Sequence, residues 1–528
     1  MLIRISKSNL EIKDKNLSQT KRFELLNLAM DSLEHDLNLK AESLGQIENG
    51  HQLWATTWRP IRSDDLEGLV LYYYALEIIT YLKKLYPEEK IILQGNVHQY
   101  FIRYLKSILK GLYKELSYST KFETKYRLSP LKYFKNLLFT KQGKNKFKHL
   151  KNKVWFSSRT NPDKHRFKHL KNEIHEQALI YATLDNTVNS DEGINLFDFI
   201  NIKDVINTAI SAKQLNQKKN KLLKNKTNLL DFALADQNTL MFWASMLKEV
   251  SLSKAIKKLH PKAILYTTAN TYPPARLISR QAYLNKVPFI VVACRPMFTK
   301  SRLEERLAKI DRDKVNEAHV ADAYVVWDKF SKNTLVDQGV NQKSIFVNNP
   351  SVQTTIKTKK EVFKNKWLIL FSHEAGLNQK LVELLIQLKN KREIIIRQHP
   401  IQKLTNKQLS LLSQNFTIAE DITAQDYNNY EFKQVIAITI NSTAVLEASQ
   451  HGCGVIWLPF LNSRSIIFYE VMQSIGKVLE SLEDLELFIS QPKVNMQRFI
   501  EACTSSYITH FASKDQTEEF LTAYNLKN

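Results

Sequence analysis

Cysteine is nearly missing from this 528-residue chain: Cys294, Cys453 and Cys503 are all there is. Three scattered thiols are too few for a disulfide framework or a cysteine-based zinc site, which fits a reducing compartment. Glycine and proline are scarce as well, at 12 and 13, so collagen-like and Pro/Gly-rich disordered chains are excluded. No apolar run is long enough to span a bilayer, and the opening MLIRISKSNLEIKDK has no apolar h-region. Neither a spanning helix nor a signal peptide is therefore expected. The motifs G-x-G-x-x-G, G-x-x-x-x-G-K-[ST] and G-x-S-x-G are all missing. Dinucleotide oxidoreductases, P-loop NTPases and the common hydrolases thus lose their usual signals. Carboxylates are outnumbered, 53 against 76 basic residues, for a net charge of +23. That excess suits a polyanionic partner (nucleic acid, anionic lipid or an acidic polymer), although a lysine- and asparagine-rich composition produces part of it without function.

What is present is ordinary globular chemistry, 43% hydrophobic and 24% charged, over a length that accommodates two or more domains. Residues 1 to about 50 are polar and weakly patterned. Leu53 to Thr57 reads as a strand, followed by a loop carrying Asp64 and Asp65 and a long amphipathic helix to Leu85; Ser63 as N-cap with acidic first-turn residues is the competing, purely structural reading. The strongest composition shift runs from Leu131 to Asn172, where lysines and arginines face Asp163 as the lone carboxylate and alternate with Tyr133, Phe134, Leu137, Leu138 and Phe139. The hexapeptide Phe147 to Asn152 recurs unchanged as Phe167 to Asn172, too few copies for a solenoid. Apolar groups interleaved with lysines suit a peripheral membrane surface, and they equally describe a solvated basic face. Nucleic-acid binding uses the same ingredients, but no nucleic-acid motif is present, so no specific nucleic-acid partner is expected.

From residue 263 strands and helices alternate. Val287 to Ala293 is the near-continuous apolar run of a buried parallel strand, and Asn348 to about Asn365 is a polar junction. A second α/β unit opens at Trp367. Its centre is KREIIIRQHP, Lys391 to Pro400, and AITINSTAVLEASQHGCGVIWLP, Ala437 to Pro459. Each is an apolar strand stopping at a polar turn, and the carboxyl edge of an open α/β sheet is where ligands sit. Arg397 and His399 at one strand end offer a guanidinium and an imidazole to a phosphate or diphosphate. Asn441, Ser442 and Thr443 at the next offer hydroxyls and the amides of a helix amino terminus, with plain N-capping as the competing reading. Glu447, one turn on, is placed to accept from ribose hydroxyls, and a packing role serves it equally.

The pairing of RQHP with NST-A-x-x-E-A-x-x-x-G resembles the C-terminal half of GT-B glycosyltransferases that use CMP-activated sugars: bacterial sialyltransferases, polysialyltransferases and Kdo-type transferases, with a related layout in the CDP-glycerol glycerophosphotransferases. The resemblance covers about 365 to 490 and is only architectural over 260 to 350. It implies two Rossmann-like domains facing a central cleft, with residues 1–350 as an acceptor-side domain bearing a basic helical insertion near 131–172. Residues 351–505 would form the donor domain, and 506–528 a C-terminal helix crossing back. It also implies that His399-Pro400 contacts the donor phosphate, His399 assisting departure of the leaving group, and that Ser442-Thr443 binds the phosphate, with Arg397, Asn441 and Glu447 completing the donor site. The family's acidic base has only an imperfect match in Asp64-Asp65-Leu66-Glu67-Gly68; Glu304 or Glu305 are alternatives. The implied activity is inverting transfer of a sialic-acid-like or Kdo-like sugar from a CMP-linked donor to a capsule or lipooligosaccharide acceptor, in the cytoplasm or at the inner face of the membrane. No cofactor and no essential metal are expected, since CMP is already a good leaving group. Polyol-phosphate transfer from CDP-glycerol and a non-catalytic glycan-assembly role are the alternatives.

Overall fold

In a computed structural model of the chain, the described residues run from 2 to 526. They exclude a number of short gaps and the longer segments 53–62, 109–114, 119–150, 159–169, 182–192, 267–272, 294–320, 349–360, 419–426 and 462–468. The first layer is a four-stranded sheet of β1 (Leu2–Ile5), β2 (Leu10–Ile12), β3 (Ile92–Val97) and β4 (Glu115–Tyr118) in the order β2-β1-β3-β4. It is accompanied by helices α1 (Gln19–Leu44), α2 (Ser63–Leu85) and α3 (Gln99–Ile108). The weakly patterned first fifty residues thus hold a 26-residue helix. Its apolar side, Leu26, Ala29, Met30, Leu33 and Leu37, is buried, but polar neighbours dilute the pattern in sequence. Gly95 has φ +142°, and a Cβ there would overlap the Ile5 carbonyl, so only glycine lets β1 and β3 approach.

A seven-stranded, all-parallel sheet follows. Its strands are β5 (Val154–Ser158), β6 (Gln177–Tyr181), β7 (Gly193–Asn195), β8 (Ala263–Tyr266), β9 (Phe289–Val292), β10 (Ala323–Val326) and β11 (Ile345–Val347). They lie in the order β11-β10-β9-β8-β5-β6-β7. Helices α4 (Ile202–Leu222), α5 (Leu229–Ala235) and α6 (Thr239–Leu259) connect β7 to β8, and α7 (Pro273–Leu284) and α8 (Lys329–Asp337) follow β8 and β10. One continuous apolar core joins this sheet to the first one, from Ile3 to Val347. The stretch 131–172, expected to be a helical insertion, contains β5, with Trp155 and Phe156 fully buried. Here the expectation is corrected: Val154, Trp155 and Phe156, a continuous apolar run just after Lys151 and Lys153, open an interior strand of the sheet, between β8 and β6. The rest of the basic stretch lies almost entirely outside the described residues.

The second α/β unit has a short ladder of β12 (Glu361–Lys364) with β16 (Tyr430–Lys433), so the expected polar junction ends in a strand. Its main sheet is built from β13 (Trp367–Leu370), β14 (Ile394–Arg397), β15 (Thr417–Ile418), β17 (Ile436–Thr439), β18 (Gly454–Trp457) and β19 (Lys477–Val478), ordered β15-β14-β13-β17-β18-β19 and all parallel. Helices α9 (Ala375–Leu388), α10 (Asn406–Ser413), α11 (Ala444–Gln450), α12 (Tyr469–Ser474), α13 (Leu482–Ile489) and α14 (Lys493–His510) belong to this unit. Ile394, Ile395 and Ile396 are at most 2% exposed; burying each contributes about 1.5–3 kcal/mol relative to an exposed side chain. Both large sheets have the doubly wound order 3-2-1-4-5-6, the second exactly six strands and the first with one more at its far edge. The fold is two Rossmann-like α/β units of the GT-B type.

After α14 the chain returns to the first unit. Helix α15 (Thr517–Ala523) is fastened to it by the Gln516 amide donating to the Val347 carbonyl at 2.7 Å, by Tyr524 Oη donating to the Asp322 carbonyl at 2.8 Å, and by Phe520 against Phe346. Phe330 of α8 stacks on Phe511 at 5.1 Å. No helix among the described residues is long and apolar enough to cross a membrane.

Candidate functional site

Strand β13 sits at the reversal of strand order, with β14 on one side and β17 on the other. Leu370 pairs in register with both Arg397 and Thr439, so the three carboxyl ends are level. Thr439, fully buried, links them: its hydroxyl donates to the Leu370 carbonyl at 3.0 Å and accepts from the Ser442 amide at 3.0 Å. Beyond β13, the buried Asn378 side chain accepts from the Ser372 amide at 2.9 Å and donates to its carbonyl at 3.0 Å. That pair braces the turn from which the 14-residue helix α9 starts. A crevice at such a reversal, with helix amino termini opening onto it, favours an anion.

Under this edge lies a charged cluster. Side chains alternate across β14: Ile394 and Ile396 enter one core, Ile395 the other, and Arg397 follows Ile395. Arg397 is 7% exposed; its Nη1 donates to Tyr427 Oη at 3.2 Å, and its guanidinium carbon lies 5.4 Å from the Tyr427 ring centre. Tyr427 is fully buried, edge-on to Phe432 at 5.5 Å and to His451 at 6.1 Å. Glu447, in the first turn of α11, completes the group. Burial raises its carboxyl pKa to about 7, against the pull of Arg397 in the other direction. Burial likewise pushes the Tyr427 phenol up. Arg397 is thus a buried guanidinium fixed by a tyrosine, rather than a free fork at the surface. Beside it stands a carboxyl that burial helps to keep its proton.

His399 stands two residues past β14 and is partly exposed. Its Nδ1 accepts from the Gln402 amide at 3.4 Å, which places the proton of the neutral ring on Nε2. Gln398, its neighbour, is buried and accepts from the Leu404 amide at 3.0 Å. The turn after β14 is therefore stitched at two points. At the next strand end, Asn441 Oδ1 is buried without a donor partner, and Ser442 is half-buried.

The structure brings Arg397, His399, Asn441, Ser442 and Glu447 to level ends or first turns around one sheet edge. Pro400 and Thr443 lie outside the described residues, as do Glu304 and Glu305. Asp64 and Asp65 fall in the first turn of α2 rather than in a loop before it, and Ser63, expected as its N-cap, is the first residue of the helix. Their side chains are outside what is described. Among the described residues no group of three or more His, Cys, Asp or Glu could hold a metal ion. Sequence reasoning missed Thr439, Asn378 and Tyr427. Tyr427 stands in a polar, aperiodic segment before β16, and only its total burial identifies it.

No family profile matches the chain, and no curated protein sequence does. Among solved structures it is similar to UDP-GlcNAc 2-epimerase from Neisseria meningitidis bound to UDP-GlcNAc, with 13% identity over 71% of this chain and 100% of that one, at a TM-score of 0.40. It is similar also to the calicheamicin glycosyltransferase CalG4 (12% identity, 71% and 98% covered, TM-score 0.38). A third is UGT2 of Phytolacca americana complexed with UDP-2-fluoro-glucose and pterostilbene (11%, 71% and 99%, TM-score 0.39).

Proposed function

We propose that the chain is an inverting glycosyltransferase that takes a sugar from a nucleotide donor, most specifically a CMP-linked sialic-acid-like or Kdo-like donor, and passes it to a surface polysaccharide or lipooligosaccharide. The observation that carries the reading is the level meeting of Arg397, His399 and the Asn441-Ser442 turn at the strand-order reversal of the second sheet. In this reading the acceptor hydroxyl attacks the anomeric carbon, the bond from that carbon to the phosphate oxygen breaks, and the nucleotide leaves carrying the electron pair. His399 Nε2–H donates to the departing phosphate oxygen. The Arg397 guanidinium and the Ser442 hydroxyl stabilise its charge. Glu447 hydrogen-bonds a ribose hydroxyl, and Asp64 or Asp65 takes the acceptor's proton. Neither a metal nor a cofactor has a step to perform. The expected place of work is the inner face of the cytoplasmic membrane.

The test is a screen of CMP-linked, CDP-glycerol and UDP-linked donors with mass detection of product. A CMP-sugar giving a product heavier by the sugar alone supports the reading. A product heavier by a glycerol phosphate would replace it by polyol-phosphate transfer. Saturable nucleotide binding without any product would leave a non-catalytic assembly role, and absence of nucleotide binding would remove the donor site altogether.

A further inference from the structure

Helix α4 shows solvent a face that its own packing does not use. Its other side, Val205, Thr208, Ala212 and Leu215, is buried. Trp243 Nε1 donates to the Val205 carbonyl at 3.2 Å, Lys254 closes on Asp204 at 2.6 Å, and Asn201 and Asp204 cap the helix reciprocally. Lys219 reaches through the interior to the Leu234 and Gln237 carbonyls, both at 2.8 Å. The helix is therefore fixed in rotation, and what it exposes is exposed by construction.

Ile202, Ile206 and Ile210 are 50%, 48% and 55% exposed. Spaced by four, they form one stripe along three successive turns. Lys203, Lys213 and Lys221, all exposed, fall with them in a sector roughly 100° wide. The one carboxylate of the helix, Asp204, is already engaged by Lys254. A single exposed isoleucine means nothing. Three in line among lysines, with no free acid between them, match a bilayer surface: the apolar groups enter the acyl boundary while the ammonium groups stay at the phosphates. Self-association through this face would set lysines against lysines, which opposes it.

We infer that α4 is a docking face for an anionic bilayer surface. The inference stands apart from the sugar-transfer reading, and it places the contact on a different segment from the basic stretch 131–172. The full chain is mixed with vesicles of phosphatidylcholine alone, or of phosphatidylcholine with phosphatidylglycerol, and sedimented. Binding is expected to the phosphatidylglycerol vesicles and to weaken as salt rises. Ile202→Ser/Ile206→Ser/Ile210→Ser is expected to cut bound protein by about tenfold with an unchanged thermal melt. Lys213→Glu/Lys221→Glu, which leaves the stripe intact, is expected to do the same. The proposal is overturned if the native chain binds neither vesicle, or if the triple-serine variant binds like the native chain. A native dimer that the triple variant makes monomeric would overturn it too, in favour of a second copy as the occupant.

Discussion

The two large sheets wind in the same order, yet their central reversals carry different chemistry. In the first, at β5 and β8, Ser157 pairs in register with Tyr266, and both are fully buried. Among the described residues the Ser157 hydroxyl has no hydrogen-bond partner. In the second, at β13 and β17, the level strand ends carry Arg397 and Thr439, with His399 and Asn441 just beyond. Topology makes a crevice in both places; among the described residues, charge and an imidazole gather at the second, and the segments after β5 and β8 lie outside the description. Function therefore has to be argued from the residues after the strands, since the winding alone does not choose between the two crevices.

Four changes would break or sharpen that contrast. The largest effect is expected for His399→Ala: loss of the Nε2 donor should lower turnover by about 10²–10⁴-fold, measured as nucleotide release, with an unchanged melting temperature. Unchanged turnover would leave the second crevice no more chemical than the first. Next is Arg397→Ala, which strips a buried cation from Tyr427 and Glu447. It should destabilise the fold by about 3–5 kcal/mol in urea denaturation and weaken nucleotide binding at the same time; a loss of binding with no loss of stability would mean that the guanidinium is not part of the packing. Smaller is Glu447→Gln. Because burial raises the folded pKa from the ordinary carboxyl value to about 7, the native state holds more proton between those values. The group's contribution is then present below the unfolded value and lost as pH rises through about 7. The variant should flatten the fall in melting temperature over that interval, and a slope identical to the native protein's would contradict the assignment. The smallest is Ser157→Ala at the first crevice. Removing an unpartnered buried hydroxyl should leave activity unchanged and stability equal or higher by up to about 1 kcal/mol. A fall in activity there would give the first reversal a working role and erase the contrast.

The second unit was the more legible in sequence because its strands are short apolar runs ending at polar turns. Trp367 to Phe371, Ile394 to Ile396 and Val435 to Ile440 each stand between clear breaks, and the structure places strands at Trp367–Leu370, Ile394–Arg397 and Ile436–Thr439. In the amino-terminal layer the long helix ending at Leu85 was legible, whereas α1 was not, because it buries its apolar residues among acids, asparagines and lysines that flatten the periodicity. Strand β5 was hidden for a different reason: its five residues sit inside the most basic stretch of the chain, and the composition of the neighbourhood outweighed the local pattern.

By itself the sequence determined which residues could meet an anion, because a strand that stops at a polar turn sends its next side chains to the sheet's edge wherever that sheet lies. Only the tertiary structure decided that these edges belong to the two strands flanking β13. Only it decided, too, that the Arg397 guanidinium lies buried on Tyr427 while His399 stays in partial contact with solvent. Burial and partner choice depend on what arrives from distant parts of the chain: Tyr427 from a segment with no pattern, and Thr439 from the strand on the far side of β13. No local window contains those encounters.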